Sequence, residues 1–278
     1  MKIALCVGNL ASRGRHTEKA YISGYNHIKE NILDKYQGEV DVFLHSYEPE
    51  LKDELIKLYQ PKLFLFEEQK LFYNEYSLLE QSIYPTNGSD TYQTIFSMCY
   101  SRFIVNNLKT QFSIENNVKY DWVIFVRYDL ATSHIHGIFF DKNYDNNYIY
   151  TSFFDQINAG PADHWFYGNE KNMNTTLSLY LNFKEYFSTN STFIETAKNG
   201  WIDSNVNNRF TCELLFGNNS KIELEKIPTK FILNAHLLYK WHFYKNNLWS
   251  TDKIKFIIAP KESSLYSHIP NHENLIKI

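Results

Sequence analysis

Residues 120–130 read YDWVIFVRYDL, and this stretch constrains the fold more than any other part of the chain. Trp122 to Val126 is an unbroken run of aromatic and β-branched side chains, long enough for a strand covered on both faces, and such strands belong to parallel sheets packed between helices. The run gives way at once to Arg127-Tyr128-Asp129, so charge arrives where the strand should end. In an open α/β sheet, ligands bind in the crevice beyond the carboxyl ends of the strands. Arg127 and Asp129 alternate along an extended backbone and therefore share a face. The pattern fits a binding site; a surface ion pair closing a strand is the other reading.

Shorter apolar runs repeat the arrangement. Lys2–Val7 ends in Gly8 and a polar, basic segment, Asn9–Arg15, ahead of helical spacing from Thr17 to Asp34. Gly8 permits close backbone approach, and Arg13 and Arg15 can reach a phosphate near the next helix N-terminus, although a solvated loop has the same composition. Val40–His45 (VDVFLH) predicts a second buried strand with His45 at its end, and Pro61–Phe66 a third. From Thr91 to Leu108 the residues Ile95, Met98, Cys99, Phe103, Ile104 and Leu108 recur at helical spacing, with Ser97 and Ser101 allowing close approach to a sheet.

After the central strand, His134 and His136 stand two positions apart without a third ligand nearby, which reads as a loop rather than a metal site. Tyr148–Phe153 predicts another strand, and Asn158–Pro161 a turn into Asp163–Asn169. There a carboxylate, a large aromatic and a glycine suit a wall that stacks on a ring and bonds its hydroxyls, or a plain strand with a capping Asp163. Glu170–Phe187 is helical in period, with Met173, Leu177, Tyr180, Leu181 and Tyr186 facing inward. Glu213 lies inside the apolar run Phe210–Phe216, a costly place for an acid unless it is paired, in a cleft, or on the exposed side of a helix. His236 and His242 fall in Phe231–His242; Asp252–Ala259 is amphipathic or strand-like, and the polar tail after Pro260 is expected over the surface.

With 278 residues and alternating strand and helix signals, the chain suits one α/β domain with additions. A net charge of -3 and aromatics without interleaved lysines argue against nucleic acid as a partner. The N-terminal apolar run is too short for a signal peptide and no stretch approaches a membrane span, so the expectation is a cytoplasmic protein without a transmembrane segment. Cys6, Cys99 and Cys212 fit reduced core thiols. No Walker loop, GxGxxG, GxSxG or HExxH motif occurs, which removes the commonest nucleotide hydrolases, dinucleotide-dependent dehydrogenases, serine esterases and zinc peptidases.

Taken in order, IALCVGNLASRGR, VDVFLHSY, FSMCYSRFIVNNLK, YDWVIFVRYDL, DHWFYGNEKNM and HLLYKWH resemble the small GT-A-like glycosyltransferases of bacterial polysaccharide clusters and large DNA viruses, over roughly residues 1–245. The resemblance implies a single domain with a Rossmann-like central mixed sheet flanked by helices. Residues 1–130 would form a nucleotide-binding half, 131–245 an acceptor-binding half and 246–278 a C-terminal extension. It implies a nucleoside-diphosphate sugar donor, a glycan or glycolipid acceptor and a divalent metal, Mn²⁺ or Mg²⁺. Gly8, Arg13, Arg15, Arg127 and Asp129 would line the donor site, Asp129 and His236 would hold the metal with His242 as the alternative, and Glu213, or else Asp163, would act as base. Where that superfamily carries Asp-Xaa-Asp, this chain has Arg127-Tyr128-Asp129. Either Arg127 neutralises the diphosphate directly or Asp129 alone holds the metal; the metal is the expectation taken forward. A binding protein of the same fold without chemistry, and a nucleotidyltransferase, are the rival functions.

Overall fold

The computed structural model describes residues 1–11, 20–72, 84–85, 92–130, 137–153, 160–188, 191–193, 195, 232–233, 235–258 and 274–278. Among them, eight strands form one sheet in the order β10-β9-β6-β7-β5-β1-β2-β3. The strands are β1 (Ile3–Gly8), β2 (Val40–Ser46), β3 (Leu63–Phe66), β5 (Trp122–Arg127), β6 (Ile149–Ser152), β7 (Trp165–Gly168), β9 (Ile254–Ile258) and β10 (Leu275–Lys277). A separate parallel pair joins β4 (Tyr84–Pro85) to β8 (Ile232–Leu233).

β1 is buried throughout and pairs in parallel with β2 on one side and β5 on the other, which is why both neighbours are apolar on both faces. β7 then runs antiparallel to both β5 and β6, while β9 is parallel to β6 and β10 parallel to β9. A parallel Rossmann-like half is thus joined to a mixed half with helices packed on it, the architecture expected for a GT-A-like domain.

Alternation along the strands divides the core in two. Ala4, Cys6, Phe43, Val123, Phe125 and Phe166 face one cluster; Ile3, Leu5, Val7, Leu44, Ile124, Val126 and Trp165 face the other. The first cluster is covered by α3 (Tyr92–Asn116), α4 (Glu170–Leu177) and α6 (Ala235–Lys245), the second by α1 (Ala20–Ile28) and α2 (Lys52–Tyr59). In the second, Trp165, Tyr167 and Tyr150 stack at centroid separations of 5.4 and 4.8 Å. Each such pair adds about 0.5–1.5 kcal/mol beyond its buried area. Cys6 and Cys99 are buried thiols pushed up to about 12 by burial, as expected of inert core cysteines. No helix among the described residues is long and apolar enough to cross a membrane.

Several elements differ from the sequence reading. The helix expected over 170–187 stops at Leu177, passes through a 3₁₀ turn at Leu179–Asn182 and resumes as α5 (Phe183–Tyr186). The Ser178 hydroxyl donates to the carbonyl of Thr175, and His242 Nε2–H donates to the same carbonyl at 2.7 Å, so side chains take an acceptor that a continuing helix would use. The break shifts the phase, and Leu181, expected inside, is 60% exposed. The last residues of the expected surface tail form β10, with Asn274 and Leu275 buried, so segment 246–278 supplies two strands of the central sheet.

His242, the alternative metal ligand, belongs to the core: the Tyr186 hydroxyl donates to its Nδ1 at 2.9 Å, and burial lowers its pKa to about 4. Burial lowers His27 and His45 as well. For all three the folded value lies below the unfolded 6.5, so the unfolded chain binds the extra protons. Stability should therefore be fully present above pH 6.5 and fall as pH drops toward 4, with His242 alone contributing on the order of 3 kcal/mol. Urea unfolding between pH 7 and pH 4.5 measures this slope, and His242→Gln should flatten it; an unchanged slope would contradict the assignment.

Candidate active site

The carboxyl ends of β1, β2 and β5 open on a cleft of about 290 Å³, lined by Asn9 and Leu10 after β1, Tyr47 after β2, Arg127 and Asp129 at the end of β5, Gln69, and Thr94, Ser97 and Met98 from α3. Parallel register places Gly8 directly opposite Arg127, which is how segments so far apart in sequence meet at one edge.

The floor is a buried hydrogen-bond chain. Asn9 has a positive φ of 90°, a conformation that asparagine tolerates better than most residues, and its N–H donates to Ser101 Oγ at 2.8 Å. Ser101 Oγ lies 2.7 Å from His45 Nδ1, and His45 Nε2 lies 3.2 Å from Glu67 Oε1. With His45 kept neutral by burial, the Ser101 hydroxyl donates to Nδ1, and Nε2–H donates to Glu67; that bond is the first cause of the lowered Glu67 pKa. His45 thus ties the turn after β1 to the segment after β3. Tyr47 stands edge-on to the His45 ring at 4.8 Å, and its hydroxyl donates to the carbonyl of Ser97 at 2.7 Å.

The charged wall is an alternating row. Arg127 donates from Nε to Asp129 Oδ1 at 2.8 Å and from Nη2 to Oδ2 at 2.5 Å, a two-point clamp. Its Nη1 lies 3.9 Å from Asp163 Oδ2. Asp163, just before β7, receives Arg102 Nη2 at its carbonyl (2.5 Å) and at Oδ2 (3.2 Å). Arg102 is fully buried, its guanidinium 4.9 Å from the centres of both the Phe125 and Tyr239 rings. Burial works to raise the Asp163 pKa, but Arg102 and then Arg127 outweigh it and hold the carboxyl well below the usual range. Tyr128 points to the other face, 6.0 Å from the Tyr59 ring. Gly24 of α1 lies so near the Tyr128 carbonyl that any Cβ there would collide with it, and this close approach supports the 127–129 turn from behind.

His236 begins the second residue of α6 and bonds through Nδ1 to the carbonyl of Pro161 at 2.9 Å, close enough to Asp163 to help keep it ionised. Gly160 has φ +128°, and the space of a Cβ there is filled by the His236 carbonyl, so only glycine fits. The structure therefore brings Gly8, Arg127, Asp129, Asp163 and His236 to one end of the sheet. Arg13, Arg15, His134, His136 and Glu213 lie outside the described residues.

The metal expected at Asp129 is poorly matched by these donors. Both Asp129 oxygens are taken by the Arg127 fork, Asp163 is bound to two guanidinium groups, and a dication placed here would face Arg127 at short range. Among the described residues there is no group of three or more His, Cys, Asp or Glu arranged to hold a metal ion.

Asn9 and Tyr47 enter the sequence reading only as members of polar segments at strand ends, and Gln69, Thr94 and Arg102 were missed. Only Arg102 carried a signal: Ile95, Cys99, Arg102, Asn106 and Lys109 follow helical spacing, and all are buried. A charge on an inward stripe demands a partner, here Asp163 for Arg102 and Glu170 for Lys109 at 2.8 Å.

No family model matches the chain, and no curated protein matches it either. Among solved structures, the crystal structure of mouse xyloside xylosyltransferase 1, apo form, is similar over 98% of this chain and 95% of that one, with 9% sequence identity and a TM-score of 0.45. Likeness at that level bears on neither substrate nor chemistry.

Removing Asp163 should be costly, since it leaves the Arg102 charge buried and uncompensated. Asp163→Ala is expected to lose about 3–5 kcal/mol of stability in urea unfolding. A loss under about 1 kcal/mol would place Arg102 in contact with water instead.

Proposed function

We propose that the chain is a glycosyltransferase that moves a sugar from a nucleoside-diphosphate sugar to a glycan or lipid-linked saccharide acceptor. One observation carries the reading: a cleft at the carboxyl ends of three parallel strands gathers an oriented guanidinium, a carboxylate, the ring of Tyr47 and amide and hydroxyl groups.

In this reading Tyr47, Leu10 and Met98 offer apolar surface to the nucleoside, with Gln69, Ser97 and Asn9 supplying polar partners at its edge. Arg127 faces the diphosphate, joined by Arg13 and Arg15 of the segment that follows Ala11. Transfer breaks the bond between the sugar's anomeric carbon and the diphosphate oxygen. The departing group gains charge, and a fixed cation stabilises that charge more than it stabilises the bound donor. For inversion a carboxylate takes the proton of the attacking acceptor hydroxyl, and Glu213 is our choice. Asp163 is the weaker candidate: a carboxylate held by Arg102 and Arg127 accepts a proton poorly and serves better to orient Arg127.

A second reading has a specific observation in its favour. The Arg127–Asp129 clamp engages both carboxylate oxygens, as a binding protein of this fold without turnover would also do.

Calorimetric titration with UDP, GDP and their sugars tests the first reading, and the lack of binding to all of them would remove it. Arg127→Ala should weaken donor binding about tenfold or more. Glu213→Gln should leave binding intact and lower turnover by roughly 10²–10⁴-fold. Binding without transfer or donor hydrolysis by the wild-type protein would favour the second reading.

A further inference from the structure

We infer that this cleft receives the diphosphate of its donor without a divalent cation, with the Arg127 guanidinium doing the work of the ion. The inference rests on the nucleotide-sugar reading above.

A divalent ion at a diphosphate does two things: it offsets anionic charge and it fixes the positions of the oxygens. An ion such as Mn²⁺ or Mg²⁺ needs carboxylate lone pairs directed at it. In this cleft each oxygen of Asp129 already accepts a charge-assisted hydrogen bond from Arg127, from Nε at 2.8 Å and from Nη2 at 2.5 Å. The other nearby carboxylate, Asp163, is committed to the buried Arg102 at 3.2 Å and faces Arg127 at 3.9 Å. An incoming ion would have to share Asp129 with a guanidinium and remain beside it, two like charges in a half-buried site.

The guanidinium can perform both tasks unaided. It is planar and always charged, and it has two N–H edges: Nε and Nη2 hold Asp129, and the edge formed by Nη1 and Nη2 is the one that would match two phosphate oxygens. The Arg127 side chain is 27% exposed on the cleft wall, so its charge is partly desolvated yet accessible. Asp129 and Asp163 flank it on two sides and fix its plane before any ligand arrives, which lowers the ordering cost of binding. Replacing the first acid of an acidic pair by arginine therefore supplies the cation within the chain.

The test is calorimetric titration of the full chain with UDP, GDP and inorganic pyrophosphate, in EDTA and again in excess Mn²⁺ or Mg²⁺. Affinity within about threefold across the three conditions is the expected result. Binding that tightens more than about tenfold with either metal would overturn the inference and leave the donor reading standing. Absence of binding in every condition would remove the donor reading, and the inference with it. Arg127→Asp supplies the converse: it should lose about tenfold or more in EDTA and recover affinity in Mn²⁺. Mn²⁺ electron paramagnetic resonance gives a readout independent of any nucleotide. The wild-type protein should leave the free-ion signal unchanged at millimolar metal, whereas saturable loss of that signal, abolished by Asp129→Ala, would show a metal site at Asp129 and defeat the proposal.

Discussion

Parallel pairing of β1 with β2 and β5 is the constraint on which the rest of this structure depends. Parallel strands end at the same edge, so the residues that follow β1, β2 and β5 are forced together although dozens of positions separate them in sequence. Burial on both faces holds the three strands in register, because a slip of one residue would turn Ile3, Leu5 and Val7 into the wrong cluster. The cleft follows from that register: Gly8 lies opposite Arg127, and Asn9, with a positive φ, lines the space beside them.

Charge in this cleft is arranged as a row in which every member has an opposite neighbour: Arg102, Asp163, Arg127, Asp129. The row begins fully buried and ends on the cleft wall. Burying Arg102 and Asp163 is expensive, and their mutual attraction with added hydrogen bonds offsets that expense only while both are present. Such a row adds little to net stability but fixes geometry. Arg127 is held from the buried side by Asp163 and from its own turn by Asp129, so its guanidinium plane is set by groups that do not depend on a ligand.

Beneath the cleft the Ser101–His45–Glu67 chain plays a matching part for uncharged groups. It links α3, β2 and the segment after β3, and its neutral histidine avoids the cost of a buried charge.

The sequence by itself determined the central strands, because apolar runs such as Lys2–Val7 and Trp122–Val126 suit a strand covered on both faces. It also placed Arg127 and Asp129 at a strand end, and there the structure shows an ion pair on the wall of a cleft. Tertiary structure alone decided which distant polar groups share a volume. His236 reaches Asp163 through the close packing of Gly160, whereas His242, six positions on in the same helix, turns inward to Tyr186 and Thr175. Helical periodicity did not separate those two histidines, since a helix offers several faces and only its packing partners choose among them. Likewise the break after Leu177 and the pairing of Leu275–Lys277 with β9 arise from contacts with residues remote in sequence. Local pattern is written residue by residue, but the company each side chain keeps is set by the register and packing of the whole sheet.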